Sequence, residues 1–311
     1  MRKKQAIKMI TASLLTIFII LVSINYLSSD TNSSDPNTSL RTKQNTPQNE
    51  QEAEQNETDS KEEQTENSEK QSLTDDIKDK VENIVDGAVG FFLKKNLDIV
   101  AIGDSLTQGV GDTTNNGGYV GILNSRLSTE KQDVNIENLG KRGNRSDQLL
   151  KRLDKQEIAS SIKDAEIILV TIGANDIMKV VKENISDLEY EQFVKEQVDY
   201  KQRLREIVDK MLALNPDASI YLIGFYNPFA NYFKDIEELG LIVDNWNKTD
   251  QSVADEYEQV TFIPTSDLFS SYNEEAVFYK DNFHPNYAGY QLMASRILEY
   301  IRPEIEDKSD G

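Results

Sequence analysis

Five apolar runs rich in β-branched residues, separated by stretches of helical periodicity, constrain this chain more than any other feature. The runs are LDIVAIG (97–103), VNIENLG (134–140), AEIILVTIG (165–173), SIYLIGFY (219–226) and VTFIPTS (260–266). Runs of this length and composition suit buried strands. Between them, RSDQLLKRLDKQEIASSI (145–162) and YKQRLREIVDKMLAL (200–214) repeat apolar residues at helical spacing, and a last helix is expected to begin near Tyr287. Strands alternating with helices predict an α/β domain of three layers (αβα), in which helices cover both faces of a five-stranded, mostly parallel sheet. Ligands of such sheets bind beyond the carboxyl ends of the strands. The chain shows no internal repeat.

The α/β pattern occupies residues 96–305, and the segments ahead of it differ in character. Arg2, Lys3, Lys4 and Lys8 precede an apolar run from about Met9 to Leu27. That run matches the roughly 20 residues needed to span a bilayer, with the basic flank on the cytoplasmic side. Residues 1–27 are therefore expected to form a signal-anchor transmembrane segment that leaves the rest of the chain extracytoplasmic. A cleaved signal peptide is the rival reading, and it would give a secreted protein. Against it, the apolar run is long for such a peptide and SINYLSSD offers no clear small-x-small site. Residues 28–73 are polar, acidic and of low complexity, the composition of a disordered linker that cannot offset its ordering entropy. In 74–95, Ile77, Val81, Ile84, Val85, Ala88, Val89 and Phe92 recur at helical spacing behind a possible N-cap, Thr74. An amphipathic helix is expected there, either packed on the domain or resting on the membrane surface.

Composition removes several function classes. The hydrophobic fraction of 38% over 311 residues is low, as it must be if part of the chain lies outside a core. A net charge of -20 argues against a nucleic-acid partner, since neutralising phosphates needs clustered Lys and Arg. With no cysteine in the chain, disulfides, thiolate metal sites, a cysteine nucleophile and a lipobox are ruled out. The one histidine, His284, excludes any multi-histidine metal site, and imidazole base catalysis must use it.

Four polar clusters fall at the carboxyl ends of the expected strands or ahead of the last helix. The first strand ends in Gly103-Asp104-Ser105, the second runs into NLGKRGNRS, the third into GANDI, and DNFHPN precedes Tyr287. The tetrapeptide Gly103-Asp104-Ser105-Leu106 consists of common residues and is weak evidence alone. Loops at one sheet edge could bring Ser105, Gly143, Asn175 and His284 together.

In these four blocks the sequence resembles the SGNH (GDSL) hydrolases. Ser105 matches the nucleophile of the early GDS turn, and Gly143, five residues after Asn138, matches the second block. Gly173-Ala174-Asn175-Asp176 matches the third, and Asp281, His284 and Pro285 match the closing Asp-x-x-His-Pro. All four occur in order across roughly residues 96 to 305. The resemblance implies a flavodoxin-like sheet and a serine esterase of lipase, lysophospholipase or acyl-esterase type that needs no metal or organic cofactor. It assigns Ser105 as nucleophile, His284 as base and Asp281 as the base's partner. The oxyanion hole falls to the backbone N–H groups of Ser105 and Gly143 and the side-chain amide of Asn175.

The chemistry of these residue types suits those roles. A serine hydroxyl is a poor nucleophile until a base takes its proton, and His284 is the only imidazole present. Asp281 can accept from the other ring nitrogen and set the tautomer. Glycine suits position 143 because a backbone N–H close to substrate leaves little room for a Cβ. Asn175 reads as a donor aimed from a loop, or as an Asx-turn after the third strand. Asp104, Asp176 and Asn138 read as scaffolding that binds loop backbone. The Gly-x-Ser-x-Gly elbow of α/β-hydrolases is missing, with Thr107 in the place of its last glycine, and so is the Gly-Lys-Ser/Thr of a P-loop. The scarcity of histidines and the lack of a carboxylate cluster argue against a metal-phosphatase built on Asp104.

Two segments read as specificity elements, 110–121 and 177–200, and 224–233 ends the fourth strand on the same side and supplies aromatics. Ile177, Met178, Val181 and Phe193 could roof an acyl groove or could be ordinary helix packing. The expected substrate is a small-molecule or envelope acyl ester, for instance a lysophospholipid or an acylated envelope polymer. The alternatives are a deacetylase of O-acetylated envelope polysaccharide and, from another class, a non-catalytic surface module that binds acylated glycan.

Overall fold

The computed structural model describes residues 97–128, 134–184, 186–227, 237–269, 272 and 274–306. The expected anchor (1–27), acidic linker (28–73) and amphipathic helix (74–95) lie outside these residues. Among the described residues no helix is long and apolar enough to cross a membrane.

Strands β1 (Leu97–Gly103), β2 (Val134–Gly140), β3 (Ile167–Thr171), β4 (Ser219–Ile223) and β5 (Val260–Ile263) form one sheet in the order β2-β1-β3-β4-β5. Every neighbouring pair is parallel. The α/β, three-layer, flavodoxin-like reading of the sequence is the architecture observed, with the sheet wholly rather than mostly parallel. In β1 side chains alternate between faces, as the two-residue period of a strand requires. Leu97, Ile99 and Ala101 enter one core, and Val100 and Ile102 enter the other.

The helices sort onto those two cores. Helices α1 (Ser105–Gln108) and α2 (Gly118–Leu127) follow β1. Helices α3 (Ser146–Arg152) and α4 (Gln156–Asp164) follow β2, and α5 (Ala174–Glu183) and α6 (Tyr190–Leu214) follow β3. After β4 comes α7 (Glu237–Ala254), and after β5 come α8 (Glu274–Val277) and α9 (Tyr287–Ile305). The first core holds Tyr119 and Leu123 of α2 with Tyr290, Met293 and Ile297 of α9. The second holds Leu149 of α3, Ile162 of α4, Leu204 and Ile207 of α6 and Trp246 of α7. The connection leaving β1 thus crosses one face and that leaving β3 crosses the other. Doubly wound sheets bind ligands at such a switch, beyond the carboxyl ends of the two adjacent strands.

Some elements differ from the sequence reading. Two strand readings, 165–173 and 219–226, run past the ladder at their carboxyl ends, because Ile172, Phe225 and Tyr226 are buried although they pair with no strand. The stretch 145–162 divides into α3 and α4. The amide of Lys155 bonds back to the Arg152 carbonyl at 3.0 Å, tightening the chain out of the first helix. The segment 110–121 is loop only as far as Gly117, since α2 begins at Gly118. Most of 177–200 is helical within α5 and α6. Phe193 is buried in the second core, and Ile177 and Val181 pack against it. Phe193 is therefore helix packing, not the roof of a groove.

Candidate active site

Ser105 opens α1 immediately beyond β1, at the level where Gly103 pairs with Gly140 of β2 and Thr171 of β3. Gly103 has φ +151, and a Cβ there would collide with the Thr171 carbonyl oxygen, so only glycine lets the strand turn here. Asp104 caps the turn. Its Oδ1 accepts from the Leu106 amide at 3.0 Å and from the Thr171 hydroxyl at 2.9 Å. Thr171 Oγ1 also lies 2.7 Å from Thr107 Oγ1, which lies 2.8 Å from Tyr119 Oη. Burial pushes the Asp104 carboxyl up to about 6, against the downward pull of its bonds from Leu106 and Thr171.

His284 reaches Ser105 from the far end of the sequence. Its Nε2 lies 2.9 Å from Ser105 Oγ, across 179 residues of chain, and its Nδ1 lies 2.6 Å from Asp281 Oδ2. Asp281 Oδ1 accepts from the backbone amides of Phe283 at 3.0 Å and His284 at 2.9 Å. Burial raises the Asp281 pKa, but the bonds and charge of His284 outweigh it and hold the carboxyl below the ordinary aspartate value. An ionised carboxylate only accepts, so Nδ1 carries the ring hydrogen and Nε2 is left to accept from Ser105. The segment is braced by the Tyr226 hydroxyl donating to the Phe283 carbonyl at 2.8 Å and by the Tyr279 amide donating to the His284 carbonyl at 2.8 Å.

Gly143 lies on the loop after β2 and Asn175 in the first turn of α5, and the two segments are stitched together. Gly143 has φ +75, and a Cβ there would meet no protein atom within 4 Å. Its left-handed backbone is one that L side chains rarely adopt, so glycine suits the position. Asn175 stands in the first turn of α5, not on a loop, and forms no Asx-turn: its Nδ2 donates to the Asn144 carbonyl at 3.1 Å. An amide carries two such hydrogens, so one remains for another acceptor. Asp176 Oδ2 accepts from the Ser146 amide at 3.0 Å and Oδ1 from the Ser146 hydroxyl at 2.6 Å. Asn138 donates to the Thr107 carbonyl at 2.8 Å and accepts from the Gly140 amide at 2.9 Å. Asp104, Asp176 and Asn138 thus all bind backbone groups at the ends of neighbouring elements.

Several residues of this framework escaped the sequence reading. Thr171, Asn144, Ser146 and Arg203 carry no motif, and Arg203 reaches Asp176 Oδ1 and Glu196 Oε1 at 3.2 and 2.6 Å. A buried threonine at the end of an apolar run was the one available signal. Among the described residues no group of three or more His, Cys, Asp or Glu side chains is arranged to hold a metal ion.

Residues 101–292, from mid-β1 into α9, match the model of the GDSL-like lipase/acylhydrolase family. The chain belongs to that family. Its relatives include YpmR of Bacillus subtilis (strain 168), an uncharacterized protein 34% identical over 214 residues, 68% of this chain and 84% of the relative. The spore germination lipase LipC of Bacillus licheniformis is 22% identical over 65% of this chain and 94% of its own length. Among solved structures, the lipase Lip_vut3 from goat rumen metagenome aligns with a TM-score of 0.56 at 21% identity, over 66% of this chain and 97% of its own. The acetyl xylan esterase AlAXEase aligns with a TM-score of 0.52 at 17% identity, over 65% of this chain and 98% of its own. These two share the fold of the GDSL domain.

Proposed function

We propose that this GDSL hydrolase is a serine esterase that cleaves carboxylic esters through an acyl-enzyme on Ser105. The observation that carries the reading is the continuous chain Ser105 Oγ, His284 Nε2, His284 Nδ1, Asp281 Oδ2, with contacts of 2.9 and 2.6 Å. Ser105 Oγ attacks the acyl carbon while its proton passes to Nε2. The charge that develops on the carbonyl oxygen is met by the N–H groups of Ser105 and Gly143 and the free amide hydrogen of Asn175. Ser105 is the first residue of its helical turn, a position whose N–H has no partner within the helix. When the ester C–O bond breaks, His284 returns the proton to the leaving alcohol. Water then attacks the acyl-enzyme, gives a proton to His284 and releases the acid, and the proton returns to Ser105.

The family contains lipases and esterases, and the reading extends from lysophospholipids to O-acetylated envelope polysaccharide. The basic flank and apolar run of residues 1–27 favour a domain tethered on the extracytoplasmic face, with substrates at the cell surface. A fluorophosphonate probe tests the chemistry. The expected result is labelling of the wild type at Ser105 that disappears in Ser105→Ala. Well-folded protein that takes no label would be a non-catalytic binding module instead. A panel of esters varied in acyl length and leaving group then separates a lipase from a deacetylase.

A further inference from the structure

We infer that Arg152 is a positioning residue for the oxyanion hole, acting through the loops that carry its donors. The inference rests on the esterase reading and adds to it a group that no motif contains. Arg152 sits in the last turn of α3, where an amphipathic helix would ordinarily show a cation to solvent. Its guanidinium instead turns under the carboxyl edge of the sheet. Nη1 lies 2.5 Å from Asn144 Oδ1 and 3.3 Å from the Gly103 carbonyl, and Nη2 lies 2.6 Å from the Leu139 carbonyl.

Those acceptors belong to different parts of the site. Gly103 ends β1 and leads directly into Ser105. Leu139 lies next to last in β2 and leads towards Gly143. Asn144 follows Gly143, and its own carbonyl takes the Asn175 amide at 3.1 Å. One planar group thus fixes the spacing between the segment that presents the Ser105 N–H, the loop that presents the Gly143 N–H and the residue on which Asn175 leans. Planarity is what makes arginine suit the task, because its donors diverge at fixed angles whereas an ammonium is a point charge on a flexible stem. All three acceptors are neutral oxygens, and burial lowers the Arg152 pKa. Positional precision matters here, since displacement of a catalytic group by about 1 Å can cost about 10²-fold in rate.

The experiment compares kcat and KM for wild type, Arg152→Lys, Arg152→Ala and Asn175→Ala, each alone and with the Arg152 changes placed in the Asn175→Ala background. Arg152→Lys should lower kcat on the order of 10²-fold while KM moves little, since substrate binding is untouched. In the Asn175→Ala background the same substitution should cost far less, because both changes act on one hole. Guanidinium ion at millimolar concentration should restore part of the kcat of Arg152→Ala. Should Arg152→Ala fail to fold, Arg152→Lys and the cycle still decide the matter. Full kcat in Arg152→Lys together with a lowered Tm, or effects that simply multiply with Asn175→Ala, would overturn the inference and leave a structural clip. A wild type that hydrolyses no ester and takes no fluorophosphonate overturns the esterase reading and this inference with it.

Discussion

One carboxylate, that of Asp281, holds His284 at two points: Oδ2 meets the ring Nδ1 at 2.6 Å and Oδ1 meets the backbone amide of the same residue at 2.9 Å. One side chain therefore helps to set both the ring orientation and the backbone turn.

That double hold makes part of the stability acid-sensitive. Burial works to raise the Asp281 pKa, and the bonds and charge of His284 bring it below the ordinary value. A carboxyl whose folded pKa is depressed adds stability above its unfolded pKa of ~3.9, and that addition fades as pH falls through the folded value. Asp281→Asn should be less stable than wild type near neutrality, and the gap in Tm should narrow as pH drops below ~4. A gap that is the same at both ends of that range would show that charge has no part in it.

Asn175 tests the oxyanion assignment. Its substitution by Ala should reduce kcat on the order of 10²- to 10³-fold, the loss typical of removing one oxyanion donor. Its bond to the Asn144 carbonyl also goes, so thermal melts should accompany the kinetics. Turnover close to wild type in a stably folded variant removes Asn175 from the hole.

Asp104 predicts a pH dependence of opposite sign. Its carboxyl is pushed up to about 6 by burial, above the unfolded value of 3.8. A raised folded pKa favours the folded state below the unfolded pKa, and that advantage is lost as pH rises through the folded value. An amide oxygen at 104 can still accept from the Leu106 amide and the Thr171 hydroxyl, and it does not ionise. The Tm of Asp104→Asn relative to wild type should therefore improve between pH ~4 and ~7, by several degrees. A constant difference would contradict a protonated Asp104.

Phe193 separates core from groove. It is 4% exposed within the second core, so Phe193→Ala should destabilise by about 3–5 kcal/mol in chemical denaturation. The milder Phe193→Leu should leave the relative rates on short and long acyl esters unchanged. A shift in chain-length preference would place Phe193 at the substrate instead.

Much of this fold was legible because a parallel sheet buries both faces of each strand and so writes near-continuous apolar runs such as Ile167–Thr171. Strand ends were less legible, since Ile172 and Phe225 stay buried after the ladder stops and hydrophobicity does not report hydrogen bonding. In the site, the blocks that keep their order pointed to Ser105, His284 and Asp281, which the structure brings into contact. Asn144, Ser146, Thr171 and Arg152 were not legible, because each acts across elements distant in sequence and is an ordinary polar residue within its own. The positive φ of Gly143 was not legible, because room for a substrate and a left-handed backbone leave the same mark in a sequence.

The contact between Ser105 and His284 joins β1 to the segment just ahead of the last helix. During synthesis, which proceeds from the N-terminus, the segments carrying Ser105, Gly143 and Asn175 emerge well before His284. The growing chain has no imidazole until His284 appears. On the proposed mechanism, activity begins only once nearly the whole domain has been made, and a truncation upstream of Asp281 leaves Ser105 without its base.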